Sequence, residues 1–326
     1  MKEKVIVFTT GGTIAMRHDP VSGGAVPAVS GPELIKAVPP LADVCPVEVR
    51  EFSNIPSPHM TPRLMLDLAR KVEEALAEPN VSGAVITHGT DTLEESAYFM
   101  DIYIDSDKPV CLTAAMRSAA ETSADGPMNI LCAVRAAASP LARGKGALVV
   151  LNEEIHAARE VTKTHSANPK TFASPFWGPL GYVDADRVIF RRAPLEPQKI
   201  HPTEIDDKVF LIKLFAGADD TLFNFLVERK VSGIVVEGFG RGNVPPGAFK
   251  GMKHAVDSGI PVVITTRCLG GRVLDVYAYD GGVKRQLEAG VILGGEINAQ
   301  KARIKLILAL GMTRDHEKLA EYFDKP

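Results

Sequence analysis

The sequence predicts an α/β protein of two domains. The larger, N-terminal one carries a mostly parallel sheet with flanking helices, and the smaller, C-terminal one is flavodoxin- or Rossmann-like. Three observations carry this expectation. Short β-branched runs alternate with stretches of helical period along most of the 326 residues. The runs are apolar nearly without interruption, as in strands buried on both faces of a parallel sheet. The stretch RRAPLEPQKIHPTEIDD has three prolines, little apolar content and no period, and reads as an interdomain linker. The expected domains are therefore 1–190 and 208–326, joined by 191–207. Strand–helix alternation of this kind predicts a doubly wound arrangement.

In chain order, the strands are expected at Val5–Phe8, Ala84–Thr87, Val110–Thr113, Ala147–Leu151, Val209–Leu214, Ile234–Glu237 and Val262–Thr266. The helices between them carry punctuation. Thr61 is placed to cap a helix with Pro62 at its first position. Leu64, Leu68, Val72, Ala75 and Leu76 then recur at helical spacing, so that one stripe faces the sheet. A second helix starts near Thr92 and carries Leu93, Ala97 and Met100 inward. The last long helix, Ala299 to Leu310, is expected to stop at Gly311.

Composition excludes several classes. A hydrophobic content of 45% with 24% charged residues is that of a globular protein with a sizeable core. The formal charge of −3 leaves no basic footprint for nucleic acid. No like-charged run suggests a membrane patch, and no apolar stretch approaches the ~20 residues of a span. The apolar run at Val5–Phe8 is too short for a signal-peptide core, so a cytoplasmic location is expected. Cys45, Cys111, Cys132 and Cys268 are scattered and read as buried free thiols. Neither the cysteines nor the eight histidines show metal-ligand spacing, so no metal is expected. GFGRG (Gly238–Gly242) lacks the G-x-G-x-x-G spacing and is followed by Pro245-Pro246 rather than a clear helix, so no dinucleotide cofactor is expected.

The chemistry concentrates in two turns, VIVFTTGGTIA and AVITHGTDTLEESA. Each reads as an apolar strand, a Thr/Gly turn, then a helix. In open α/β sheets ligands bind beyond the carboxyl ends of the strands, where both turns lie. If the strands are neighbours, Thr13 and Thr90 face each other across one ligand, an arrangement for attacking and polarising a carbonyl. A threonine hydroxyl needs help to lose its proton. Lys163, in EVTKT, and Asp91, beside Thr90, offer a Thr–Lys–Asp relay in which Asp91 orients the lysine. An adjacent carboxylate favours charged lysine, so burial has to offset it if Lys163 is to act as a base.

These turns, together with AMR (Ala115–Arg117), SADGP (Ser123–Pro127), VTKT (Val161–Thr164), GPLGY (Gly178–Tyr182) and NAQKAR, resemble bacterial-type L-asparaginases nearly end to end. The pairing of TGGT with HGTDT is specific to that family and close relatives, such as glutaminase-asparaginases and the transamidosome glutaminase subunit. The resemblance implies hydrolysis of asparagine to aspartate and ammonia, with no cofactor. It implies Thr13 as the primary nucleophile, and Thr90, Asp91 and Lys163 as the relay. Asp91 would also take the substrate's α-ammonium and Ser57 its α-carboxylate, while backbone N–H groups around Gly89–Thr90 and Ala115 would stabilise the oxyanion. It further implies a homo-oligomer, a dimer or a tetramer, with shared sites, in which Asn243 reaches across to a neighbour. Rival readings are a glutaminase or mixed-specificity enzyme, a non-catalytic amino-acid sensor, and a partner subunit of a tRNA-dependent amidotransferase.

The chain departs from the family's pattern in three places. Many relatives carry a tyrosine in the mobile loop after TGGTIA, where Ala25 aligns here and no tyrosine occurs before Tyr98. Arg17 and His18 are the nearby substitutes. Relatives commonly have Ser-Gln-Asp where this chain has Ser57-Pro58-His59, and Pro58 cannot donate as glutamine does. Around Tyr277–Gly282 only Asp280 is available as an acidic residue for a neighbouring subunit's site. Phe176 and Trp177 read as part of a packed crossing loop.

Overall fold

The structure is a computed structural model that describes residues 3–19 and 23–324. The chain divides into two compact units, Met1–Lys199 and Ile200–Pro326, and the division lies inside the proline-bearing 191–207 stretch.

The first unit opens with β1 (Lys4–Gly11), whose residues Val5, Ile6, Val7 and Phe8 are all buried. A hairpin of β2 (Met16–Asp19) and β3 (Gly24–Pro27) follows, with His18 opposite Ala25. The short helices α1 (Gly31–Lys36) and α2 (Leu41–Val44) lead to β4 (Val47–Ile55). Next come α3 (Pro62–Leu76), β5 (Val81–Thr87), α4 (Leu93–Tyr103), β6 (Val110–Thr113), α5 (Gly126–Ala138) and β7 (Ala147–Leu151). The unit closes with β8 (Glu154–Ala157), the short pair β9 (Thr162–Lys163) and β10 (Phe172–Ala173), then β11 (Gly181–Asp184) and β12 (Arg187–Phe190). α3 is capped as expected, the Thr61 hydroxyl accepting from the Leu64 N–H at 3.3 Å.

The main sheet has the order β12-β11-β8-β7-β6-β5-β1-β4. From β4 to β7 every pairing is parallel, and from β7 to β12 every pairing is antiparallel. α5 packs on one face with Val5, Val7, Val85, Cys111 and Leu148, while α3 and α4 pack against strands of the same sheet. Alternate residues of the central strands are buried on both faces, which is why their sequences read as continuous apolar runs.

The second unit is a parallel sheet of β13 (Val209–Lys213), β14 (Gly233–Gly238), β15 (Val262–Thr266) and β16 (Ile292–Leu293), paired in that order. Its helices are α6 (Thr221–Glu228), α7 (Pro246–Asp257), α8 (Val283–Glu288), α9 (Ala299–Met312) and α10 (His316–Asp324). Among the described residues no helix is long and apolar enough to cross a membrane.

Several local expectations are corrected. Gly311 does not end the last long helix: α9 runs through it to Met312, and α10 follows. A Cβ at Gly311 would stand 2.3 Å from the Glu204 carbonyl oxygen, so the glycine serves a close approach rather than a stop. Pro245-Pro246 do not prevent a helix after GFGRGN; Pro246 is the first residue of α7, where its missing N–H costs nothing. Phe176 and Trp177 are not packed but 80% and 55% exposed. Of the four free cysteines, Cys111 and Cys132 are buried, Cys45 is half-buried, and Cys268 is exposed rather than buried. β4 was not expected, because its sequence VEVREFSNI interleaves charges. There Lys4 and Arg50 each pair with both Glu48 and Glu78 on the edge of the sheet.

Candidate active site

β1 and β5 are parallel neighbours with Thr9 opposite Thr87, so the turns that leave them emerge side by side. The first turn is shaped by glycine. Gly11 has φ 104°, and a Cβ there would lie 2.5 Å from the Ile55 amide nitrogen. Gly12 has φ 80°, and its Cβ would lie 2.3 Å from the Cα of Gly89 in the second turn. The two backbones therefore touch where neither can carry a side chain, since Gly89 in turn leaves only 2.7 Å between a Cβ and the Ser57 hydroxyl. The Gly12 N–H donates to the Ile55 carbonyl at 3.0 Å, and Thr13 begins a short 3-10 turn.

The second turn is held by side chains. The Asp91 N–H donates to the Ser57 hydroxyl oxygen at 3.1 Å, and the Thr92 hydroxyl donates to the Ser57 carbonyl at 2.8 Å. Ser57 is buried at the end of β4, which brings the segment NIPSPH against HGTDT. Lys163, on β9, extends its ammonium to the Thr90 Oγ1 at 2.9 Å and to the Asp91 Oδ1 at 2.7 Å. The lysine side chain is 17% exposed and that of Asp91 59%, so the ion pair has one sheltered and one open end.

Beneath the turn lies His88, which is fully buried; its Nδ1 is 2.8 Å from the Gly89 carbonyl oxygen and its Nε2 3.0 Å from the Ser96 hydroxyl of α4. Burial lowers the pKa of this imidazole to about 4, against the hydrogen bond to Gly89, which raises it.

These groups line one cavity of about 200 Å³, room for one small amino acid. Thr13, Ser57, Gly89, Thr90, Asp91 and Lys163 all border it. Ala115 does not: its side chain is buried in the core, and the neighbouring Met116 reaches the cavity instead. The Met116 and Arg117 N–H groups are both held by the Asp125 carboxylate, at 3.0 and 2.9 Å, which accounts for SADGP following AMR. Asn243 lies in the second unit, in an isolated bridge with Phe239, and is not among the lining residues. Its side-chain oxygen has no hydrogen-bond partner among the described residues.

The substituted positions are placed as follows. Pro58 borders the cavity, whereas His59 is exposed and does not. Arg17 is exposed and pairs with Glu33 at 3.7 Å. The side chains of His18 and Ala25 lie outside the described ones. Asp280 is exposed in the second unit. Met16, Met116 and Ser166 line the cavity without having been singled out, and His88 and Ser96 lie beneath it. Lone residues of these types carry no spacing signal, and only HGTDT itself pointed to the neighbourhood. Among the described residues, no group of three or more His, Cys, Asp or Glu could hold a metal ion.

Comparison with known proteins matches this architecture along the chain. Residues 4–196 match the family described as asparaginase, N-terminal, and residues 208–323 the glutaminase/asparaginase C-terminal domain. The chain is similar to the L-asparaginase of Bacillus licheniformis, 37% identical over 316 residues that cover 97% of this chain and 98% of that protein. It is also similar to a glutamyl-tRNA(Gln) amidotransferase component of Pyrococcus furiosus, 34% identical, covering 95% of this chain and 73% of that one. A crystal structure of a probable cytoplasmic L-asparaginase from Campylobacter jejuni matches with a TM-score of 0.89 at 35% identity, over 100% of both chains.

Proposed function

Since the chain belongs to the asparaginase family, we propose that it hydrolyses the side-chain amide of L-asparagine to L-aspartate and ammonia, with Thr13 as nucleophile. The observation that supports the residue roles most directly is the relay: Lys163 Nζ within 2.9 Å of Thr90 Oγ1 and 2.7 Å of Asp91 Oδ1, in the cavity that Thr13 also borders.

In this reading the Thr13 hydroxyl oxygen attacks the amide carbon, and its proton is relayed through Thr90, whose hydroxyl the Lys163 ammonium polarises, toward the amide nitrogen. The C–N bond then breaks, and the nitrogen takes up that proton and leaves as ammonia. Water attacks the resulting threonyl ester, its proton returns to Thr13, and the ester C–O bond breaks to release aspartate. Holding the amide carbon against the hydroxyl and aiming N–H donors at the developing oxyanion supply most of the barrier reduction. Asp91 receives the α-ammonium with its open end. The Ser57 hydroxyl already accepts from the Asp91 N–H, so its own proton is left to donate to the α-carboxylate.

The proposal includes a cytoplasmic location, which the free cysteines and the description of the Campylobacter jejuni protein support. It also includes a homo-oligomer in which Asn243 serves a neighbouring copy's site. Glutamine is the alternative substrate, because one methylene is worth only ~1–3 kcal/mol of discrimination.

Ammonia release from asparagine and from glutamine at matched low concentrations, wild type beside Thr13→Ala, tests the reading. Asparagine turnover by the wild type and none by the variant is expected. Aspartate binding with no turnover by the wild type would make the chain a sensor instead.

A further inference from the structure

We infer that His88 is a positioning residue that turns the Thr90 amide N–H toward the cavity, an inference that rests on the reading of the cavity as an amide-hydrolysing site. The ring lies between the Gly89 carbonyl oxygen, 2.8 Å from Nδ1, and the Ser96 hydroxyl, 3.0 Å from Nε2. A carbonyl only accepts, so Nδ1 must carry the proton. Burial keeps the ring neutral, so Nε2 is bare and the Ser96 hydroxyl donates to it. The Ser96 hydroxyl, which can donate or accept, thereby completes the tautomer that the Gly89 carbonyl fixes.

The consequence lies in the next peptide. A trans peptide is planar, and its C=O and N–H point opposite ways. With the Gly89 carbonyl drawn down to a fully buried imidazole, the Thr90 N–H faces the other side, where Gly89 and Thr90 border the cavity. A fixed N–H there meets the oxygen of the scissile amide as it gains charge. Glycine at position 89 is required by the approach of Gly12 and Ser57, yet glycine also leaves the peptide free to rotate. A rotated peptide would put a carbonyl oxygen where the oxyanion forms. His88 supplies the restraint that glycine cannot.

The test uses the full chain: steady-state ammonia release by wild type, His88→Ala, His88→Asn and Ser96→Ala, aspartate binding by calorimetry, and nitrogen NMR of the wild-type histidine rings. Asparagine at position 88 keeps an N–H donor near the place of Nδ1. His88→Ala is expected to lower kcat about 100-fold with little change in KM or aspartate affinity, as for loss of one oxyanion donor. His88→Asn is expected to recover most of that loss, Ser96→Ala to show a smaller one, and the His88 ring to show the Nδ1–H tautomer. Wild-type kcat in His88→Ala would overturn the inference. So would an Nε2–H tautomer, or a His88→Asn enzyme as impaired as His88→Ala. If His88→Ala does not fold, His88→Asn and the tautomer decide. Absence of ammonia release from the wild type would instead refute the proposed function, and the tautomer would still report on His88.

Discussion

The turn after β1 and the turn after β5 border the same cavity, but they are held in place differently. The first rests on its backbone: Gly12 donates to Ile55 and Ala15 to Gly12, and the left-handed Gly11 and Gly12 sit where added atoms collide. The second rests on side chains from three other places in the chain: Ser57, Lys163 and, through His88, Ser96. A backbone-held turn presents its one reactive side chain with little that can be adjusted. A turn held by side chains can be tuned in position, charge and proton placement, which suits the loop that activates rather than attacks.

That contrast can be broken in four ways. Thr13→Ala and Thr90→Val should each cut kcat by about 1,000-fold or more, as for members of a catalytic unit that act together. Near wild-type turnover in Thr90→Val would confine the chemistry to the first turn.

The support under the second turn should show in pH. The folded His88 ring stays unprotonated down to about 4, whereas an unfolded histidine protonates near 6.5. Its folded pKa is depressed, so the stabilisation is present above pH 6.5 and is lost as the pH falls toward 4, by about 3 kcal/mol. Urea unfolding at the two ends of that window should show a smaller loss in His88→Asn than in wild type.

Gly12→Ala should cost on the order of 1–3 kcal/mol from its backbone conformation alone. The 2.3 Å approach to Gly89 adds to this and carries the damage into the second turn, so thermal unfolding and turnover should fall together. Ser57→Ala should act most mildly, raising KM about 10-fold through the lost hydrogen bond to a charged group, with a modest fall in melting temperature because the Asp91 N–H loses its acceptor. A fall in kcat without a rise in KM would remove the α-carboxylate role from Ser57.

Much of this was legible in the residues. Near-continuous Val and Ile runs located β1, β5, β6, β7, β14 and β15, because strands covered on both faces have no polar side to interrupt them, and the apolar run of β13 located it too although that edge strand leaves Phe210 half exposed. β4, β8, β11 and β12 escaped because they are short or interleave polar residues that reach solvent or ion pairs. Thr61 was readable as a helix start, since capping is a local matter between one side chain and the next turn; Thr92 also precedes its helix, but its hydroxyl donates to the Ser57 carbonyl rather than capping. Gly311 was misread for the converse reason: a glycine inside a helix and a glycine after one look alike until the neighbouring chain at Pro202–Glu204 is in place.

The sequence alone determined the strand–turn–helix units and put Thr13, Thr90 and Asp91 at strand ends, because hydrophobic period and turn chemistry act over a few residues. Only the tertiary structure decided that β4 and β5 flank β1, which sets Ser57 beside Asp91, and that Lys163 closes on a threonine 73 residues away. It also decided the proton on His88, since a tautomer follows from which acceptor and donor the fold places at each ring nitrogen. These are long-range matters of register and burial, on which local periodicity carries no information.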